Sequence, residues 1–230
     1  MSDMTSPAVQ LAKAGPEYGV GVYREITQWA ATTPGWMQTA GDVGTELGIL
    51  VFVALFVVQW WRARGRDDRS MALALLAPVA VAAVYVLSEI TKVWLHEERP
   101  CRAIPDVRTI AECPASGDWA FPSNHSVIAA ASAATFLITW RLVAAFALPL
   151  AVLVALSRVY VGVHYLHDVA AGALLGVLLA PLLLLIMRVP GTAAVTRLRQ
   201  HRPLTAALGT APPSEPRFVA EEAHASASNR

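Results

Sequence analysis

Residues 126–157 read SVIAAASAATFLITWRLVAAFALPLAVLVALS, 32 residues with a single charge, Arg141. An α-helix crosses the hydrocarbon core of a bilayer in about 20 residues at about 1.5 Å per residue. The stretch is therefore too long for one crossing, and it predicts a helical hairpin with Arg141 at the turn. A hairpin returns the chain to the face it left. The polar segments on either side, 92–125 and 158–168, must then lie on one face of the membrane.

Working outward, three further charge-limited apolar runs complete the pattern. Leu47–Trp61 reaches a full span if 43–46 form its interfacial end, Ser70–Ser88 is a second span, and Val169–Met187 closes the set. Counting the hairpin twice, the fold class is all-α, a polytopic transmembrane helical bundle of about five spans. Composition agrees, with 55% hydrophobic residues, 15% charged residues and a mean hydropathy of +0.47. Soluble domains carry about 25% charged residues. The net charge of +1, with no long basic stripe, argues against a nucleic-acid partner.

Residues 1–40 are expected to form an N-terminal segment with an interfacial helix over Val20–Ala40, where Arg24, Glu25, Gln28, Trp29 and Trp36 mix charge with interface-seeking aromatics. No cleavable leader is expected, since the first apolar run begins late and lacks a small-residue cleavage site. The membrane domain is expected over 41–190. Residues 191–230, with Pro212, Pro213 and Pro216, read as a disordered cytoplasmic tail. Four arginines between Arg62 and Arg69, and Arg188, Arg197, Arg199 and Arg202 near the tail, assign those ends to the inside. The 92–125 and 158–168 segments then face the extracytoplasmic side.

Those two segments, with the start of the third span, hold the chemistry. Lys92, Arg99 and Arg158 concentrate positive charge at span ends, where ionisable groups are costly without a use. Two arginines offer planar forks that match phosphate oxygens. Ser123 and Asn124 precede a span, where free backbone N–H groups and the helix dipole favour anions. His164 and Asp168 stand four apart, on one face if that segment is helical, so the carboxylate can hold the imidazole as a nucleophile. His125 comes from another span and is free to act as acid and base.

Read together, the motifs are Lys92-x6-Arg99-Pro100, Pro122-Ser123-x-His125 and Ser157-Arg158-x5-His164-x3-Asp168. The sequence resembles the type-2 phosphatidic acid phosphatase superfamily of membrane lipid phosphatases over about 47–187. That resemblance implies that His164 forms a phosphohistidine, that Asp168 orients it and that His125 protonates the leaving group. It also implies a phosphate cradle of Lys92, Arg99, Ser123, Arg158 and the Asn124 backbone N–H, with no metal and no cofactor. The usual Pro-Ser-Gly-His is here Pro-Ser-Asn-His. A polar residue there, and a short polar segment before five spans, are similar to undecaprenyl-diphosphate phosphatases of the superfamily. The expected substrate is thus a lipid phosphate or diphosphate, foremost a polyprenyl diphosphate, with phosphatidic acid or phosphatidylglycerophosphate as the alternative.

Plainer readings compete with each residue. Ser123 and Asp168 could be N-caps, Arg158 could snorkel, and Lys92 could pair with Glu89. His164, His167 and Asp168 could ligate a metal, against which the nearby cations argue. His167, next to Asp168 in sequence, reads as a surface or interface histidine. A transporter would need ionisable groups spread through the membrane depth, and the span interiors lack them. Cys101 and Cys113 sit in one loop and could be joined as a disulfide ordering a lid.

Overall fold

The computed structural model describes residues 17–210. Helix α1 is Glu17–Thr32, α2 Gly35–Ala63, α3 Asp68–Leu95, and α4 a single turn at Pro100–Ala103. The hairpin follows as α5 (Asn124–Thr139) and α6 (Arg141–Tyr160), and then α7 (Leu166–Leu198). The chain ends in a 3₁₀ turn, Arg202–Leu204, and the short α8, Thr205–Leu208. No strand occurs among the described residues.

The hairpin turns at Trp140, whose φ of −158° and ψ of 81° break the helix immediately before Arg141. Four helical segments are long and apolar enough to span a membrane: Gly35–Ala63, Asp68–Ala103, Arg141–Tyr160 and Leu166–Leu198. The fifth, α5, has only 16 residues. It is the central helix, packed against α3, α6 and α7, and Ala129, Ala131, Ser132, Ala133 and Phe136 on it are fully buried. Its Ala and Ser side chains are small enough for neighbours to approach closely, as membrane interfaces require. Gly172 of α7 shows how close, because a Cβ there would stand 2.5 Å from the backbone oxygen of Ser123. Leu50, Val53, Val86, Leu153, Leu178 and Ile186 are exposed, which gives α2, α3, α6 and α7 their lipid-facing surfaces.

Two boundaries differ from the sequence reading. Helix α1 ends at Thr32, because Pro34 holds an extended N-cap conformation and restricts Thr33 before it, so the first spanning helix starts at Gly35 and not after residue 40. At the other end, α7 continues through Pro190 to Leu198. A proline removes one ladder donor, which a long helix packed on neighbours tolerates. Residues 199–208 then fold back: Arg199 binds Asp68 at 2.7 Å, and the Trp60 indole donates to the Ala207 carbonyl at 3.1 Å. The tail expected over 191–230 therefore begins as packed helix. Residues 211–230 lie outside the described residues.

Candidate active site

The polar ends of α3, α5 and α6 and the turn before α7 meet at one end of the bundle, as the hairpin requires. They enclose a cavity of about 310 Å³ lined by Lys92, Arg99, Asp118, Asn124, His125, Arg158 and His164, with Glu46 from α2. A different end would have received these residues had the 126–157 stretch been one span.

His164 lies in the turn before α7, not on a shared helical face with Asp168. Asp168 is in the first turn of α7 and reaches back, accepting from the Tyr165 backbone N–H at 2.8 Å and from His164 Nδ1 at 3.2 Å through the same oxygen, Oδ2. Both side chains are buried, Asp168 completely. Gly162 permits the turn with a φ of 86°, and its carbonyl accepts from the Tyr23 hydroxyl of α1 at 2.7 Å. Arg99 NH1 stands 2.9 Å from His164 Nε2. A guanidinium can only donate, so Nε2 is the bare nitrogen and Nδ1 carries the proton. Burial holds the His164 pKa well below the ordinary imidazole value, and the Arg99, Arg158 and Lys92 charges push it further down. A neutral ring thus presents a lone pair toward the cavity.

The cations are buried around that lone pair, with Lys92, Arg99 and Arg158 exposed by 5%, 6% and 7%. Their partners are three carboxylates. Asp118 Oδ1 lies 2.9 Å from Arg99 NH2 and 3.5 Å from Lys92 Nζ, while the Asp118 carbonyl accepts from Arg99 Nε at 2.9 Å. Partial burial raises the Asp118 pKa, but the hydrogen bond and charge of Arg99, with the charge of Lys92, outweigh it and hold the group below its ordinary range. Glu46 lies 2.9 Å from His125 Nε2 and 3.6 Å from Arg158 NH1. Lys92 also keeps the Glu89 contact, at 3.5 Å, that helical spacing allows.

Two predicted anion ligands sit differently from the rest. Ser123 holds the N-cap position of α5 without a side-chain cap, and its hydroxyl accepts from Ser126 at 3.2 Å, behind the cavity wall. Its backbone N–H is already committed to the Asp168 carbonyl at 3.0 Å. Asn124 lines the cavity as the first residue of α5, where its backbone N–H is the expected ligand, and its side chain accepts from Ser88 at 2.8 Å and donates to Glu89. Cys101 and Cys113 are disulfide-bonded in the loop above.

The profile of the PAP2 superfamily matches residues 73–190. The chain belongs to that superfamily. It is 33% identical over 132 residues to the bacitracin transport permease protein BcrC of Bacillus licheniformis, covering 57% of this chain and 63% of that protein. It is 32% identical over 149 residues to the undecaprenyl-diphosphatase of Sulfolobus acidocaldarius, covering 64% and 66%. The chain thus spans slightly under two thirds of each relative's length. Among solved structures, the transmembrane PAP2-type phosphatidylglycerolphosphate phosphatase of Bacillus subtilis shares the fold, with a TM-score of 0.57 and 24% identity over 77% of this chain and 90% of that one.

Three carboxylates at the site of this superfamily member, Glu46, Asp118 and Glu97, escape the sequence reading. Glu46 had a usable signal, being an ionisable residue at a span end. Asp118 had none, because it lies in a long loop without periodicity. Glu97 and His167 meet at 2.7 Å, so the histidine read as a surface or interface residue has a carboxylate partner that its adjacency to Asp168 does not disclose. Oxygen and nitrogen donors of Glu97, His167 and Asp168 fall within 4.8 Å of one another, whereas His164 turns to the cavity and does not join them.

Proposed function

We propose that the chain is a membrane lipid phosphatase that hydrolyses a polyprenyl diphosphate to the monophosphate at the extracytoplasmic face, without a metal. The observation that carries this reading is the bare Nε2 of neutral His164 facing a cavity ringed by three buried cations. In the first step Nε2 attacks phosphorus, an N–P bond forms, and the P–O bond to the leaving group breaks. His125 supplies the proton that the leaving oxygen needs. In the second step water attacks the phosphohistidine, the N–P bond breaks, and His125 takes the water's proton. Arg99, Lys92 and Arg158 hold the phosphoryl oxygens as charge builds, which is the electrostatic role that dominates phosphoryl transfer. Arg99 must exchange its contact with Nε2 for the phosphate, and Asp168 stabilises the imidazole throughout.

A long lipid tail is favoured by a second cavity. About 290 Å³ of space between α2, α3 and α5 is lined by Phe52, Val53, Phe56, Val81 and Ala82, and it shares Ile49, Tyr85 and Ile128 with the polar cavity. A phosphate in the cup can thus continue into a tail lying between helices in the bilayer. The kinship with an undecaprenyl-diphosphatase supports the prenyl choice. The outward face is supported by the arginines at the opposite end and by the Cys101–Cys113 bond, which persists in oxidising compartments.

Phosphate release in detergent from a polyprenyl diphosphate, phosphatidic acid and phosphatidylglycerophosphate tests the substrate. Highest kcat/KM on the diphosphate, undiminished by EDTA, is expected. Preference for a glycerophospholipid would replace the carrier lipid, and inactivation by EDTA with recovery on adding Zn²⁺ would end the metal-free reading. Labelling of the reduced native cysteines in intact cells by a membrane-impermeant maleimide tests the face, and labelling only after lysis would reverse it.

A further inference from the structure

On the side of His164 away from the cavity lies a polar cluster that the reaction above does not use. Asp168 spends Oδ2 on two donors, His164 Nδ1 and the Tyr165 N–H. Its other oxygen, Oδ1, is buried and makes no hydrogen bond. His167 Nε2 stands 3.2 Å from it. That same nitrogen is hydrogen-bonded to Glu97 Oε1 at 2.7 Å, so Glu97 fixes both the ring's direction and the proton on Nε2. The ring has little freedom otherwise. It stacks on Tyr165 with centroids 5.1 Å apart, Phe121 lies at 6.0 Å, and Gly19 of α1 closes against its Nδ1 edge.

We propose that Glu97 and His167 are a positioning pair that fixes the carboxylate of Asp168, and through it the ring of His164. The proposal rests on reading His164 and Asp168 as the catalytic pair. A wholly buried carboxylate oxygen with no partner carries a large desolvation cost, which the carboxylate escapes by rotating or by taking a proton. Either response weakens the grip on His164 Nδ1, and the attacking Nε2 then loses its direction. His167 offsets part of that cost: its one Nε2 hydrogen is bonded to Glu97, and the positive edge of the ring that carries it stands 3.2 Å from Oδ1. Glu97 keeps His167 there, at the end of α3, on the loop that also supplies Arg99. Arg99 and Glu97 therefore hold the two sides of the nucleophile from one short segment.

The test compares kcat and KM for His167→Phe, His167→Gln, Glu97→Gln and the Glu97→Gln/His167→Phe double variant on the preferred lipid, with His164→Gln as reference. Phe keeps the aromatic stack and removes the polar contact, and a kcat loss of about 10–100-fold with KM within about threefold is expected, as for other outer-shell partners. The amide of Gln carries two N–H donors, one for Glu97 and one for Oδ1, so His167→Gln should recover about tenfold of that loss. The double variant should be no worse than His167→Phe alone, since the two residues act as a unit. A kcat for His167→Phe within twofold of wild type overturns the proposal, and so do equal losses for Phe and Gln. If His167→Phe does not fold, Glu97→Gln decides, with about a tenfold kcat loss expected and no loss overturning the pair. Stimulation of the wild type by Zn²⁺ that His167→Phe abolishes would assign the three donors to a cation and also overturn it. Full activity of His164→Gln would instead sink the catalytic assignment on which the pair depends.

Discussion

Arginines crowd both ends of the bundle, and each end has a cavity of about 310 Å³, yet the two ends are built for different work. At the end opposite the histidines, Arg62, Arg66 and Arg69 line the space with Gln59, Ser70 and Trp140. All three arginines are exposed, and Arg62 lays its guanidinium over the Trp140 ring at 4.3 Å. Salt and water screen such charges, which weakens their hold on an anion. At the histidine end the cations are nearly enclosed, where the same Coulomb attraction acts through a lower effective dielectric. Number of charges and volume of space are alike. Burial, and the His164 imidazole lining the space, make the difference.

The largest effect should come from deleting His164, the nucleophile of the proposed reaction. His164→Gln keeps the polarity of the site but cannot form the N–P bond, so kcat/KM should fall by on the order of thousands-fold, as when one member of a catalytic triad is removed. A tenth of wild-type turnover would break the comparison at its centre. Next in size, Arg158→Gln should cost about 100-fold in kcat, the scale of one lost charge-stabilising donor. The triple change Arg62→Gln, Arg66→Gln and Arg69→Gln should leave detergent turnover within about twofold, being exposed and distant from the histidines. Comparable losses at both ends would mean that the opposite cavity takes part in the reaction.

Much of this contrast is readable in the sequence, because a hairpin deduced from one long apolar run fixes which polar segments share a face. Lys92, Arg99, His125, Arg158, His164 and Asp168 are brought together as that parity demands. Where the reading stops is instructive. Periodicity says nothing about Asp118, since a loop has no repeat to interpret. Helical spacing paired His164 with Asp168 correctly but by the wrong geometry, because the contact is made by a residue reaching back from the first helical turn. Adjacency in sequence separated His167 from Asp168, whereas at a helix start consecutive residues can both face a neighbouring loop. The last span reads as closing at Met187 because a single sequence does not display the packing on α3 that carries α7 on to Leu198.

A smaller effect separates the ends by pH. The folded state keeps His164 neutral below its ordinary pKa of about 6.5, whereas the unfolded chain takes up a proton there. Fewer protons bound in the folded state means that stability is present above that pH and is lost as pH falls. The melting temperature of the wild type should therefore drop between pH 7.5 and 5.5, and His164→Gln should flatten part of that slope. The triple arginine variant at the opposite end should keep the wild-type slope, since arginines do not titrate in this range. An unchanged slope in His164→Gln would mean that the ring is protonated in the folded protein and is not the poised nucleophile.

The smallest effect concerns Asp118, which lies between Arg99 and Lys92, 2.9 Å and 3.5 Å away. A phosphate or vanadate anion must compete with that carboxylate for the same two cations. Asp118→Asn keeps the shape and the backbone carbonyl that holds Arg99 Nε, and removes only the charge. Because the side chain is about half exposed, the competition is modest, in the range of a surface ion pair at about 0.2–1 kcal/mol. Inhibition by phosphate and vanadate should accordingly tighten by up to about fivefold, with product release slowed to match. A tighter inhibition constant in Asp118→Asn says that the carboxylate is a stand-in anion that leaves when substrate arrives. Weaker inhibition says the reverse, that Asp118 must stay charged to aim Arg99 at the phosphate, and the buried cup would then depend on its acidic neighbour as firmly as on its own cations.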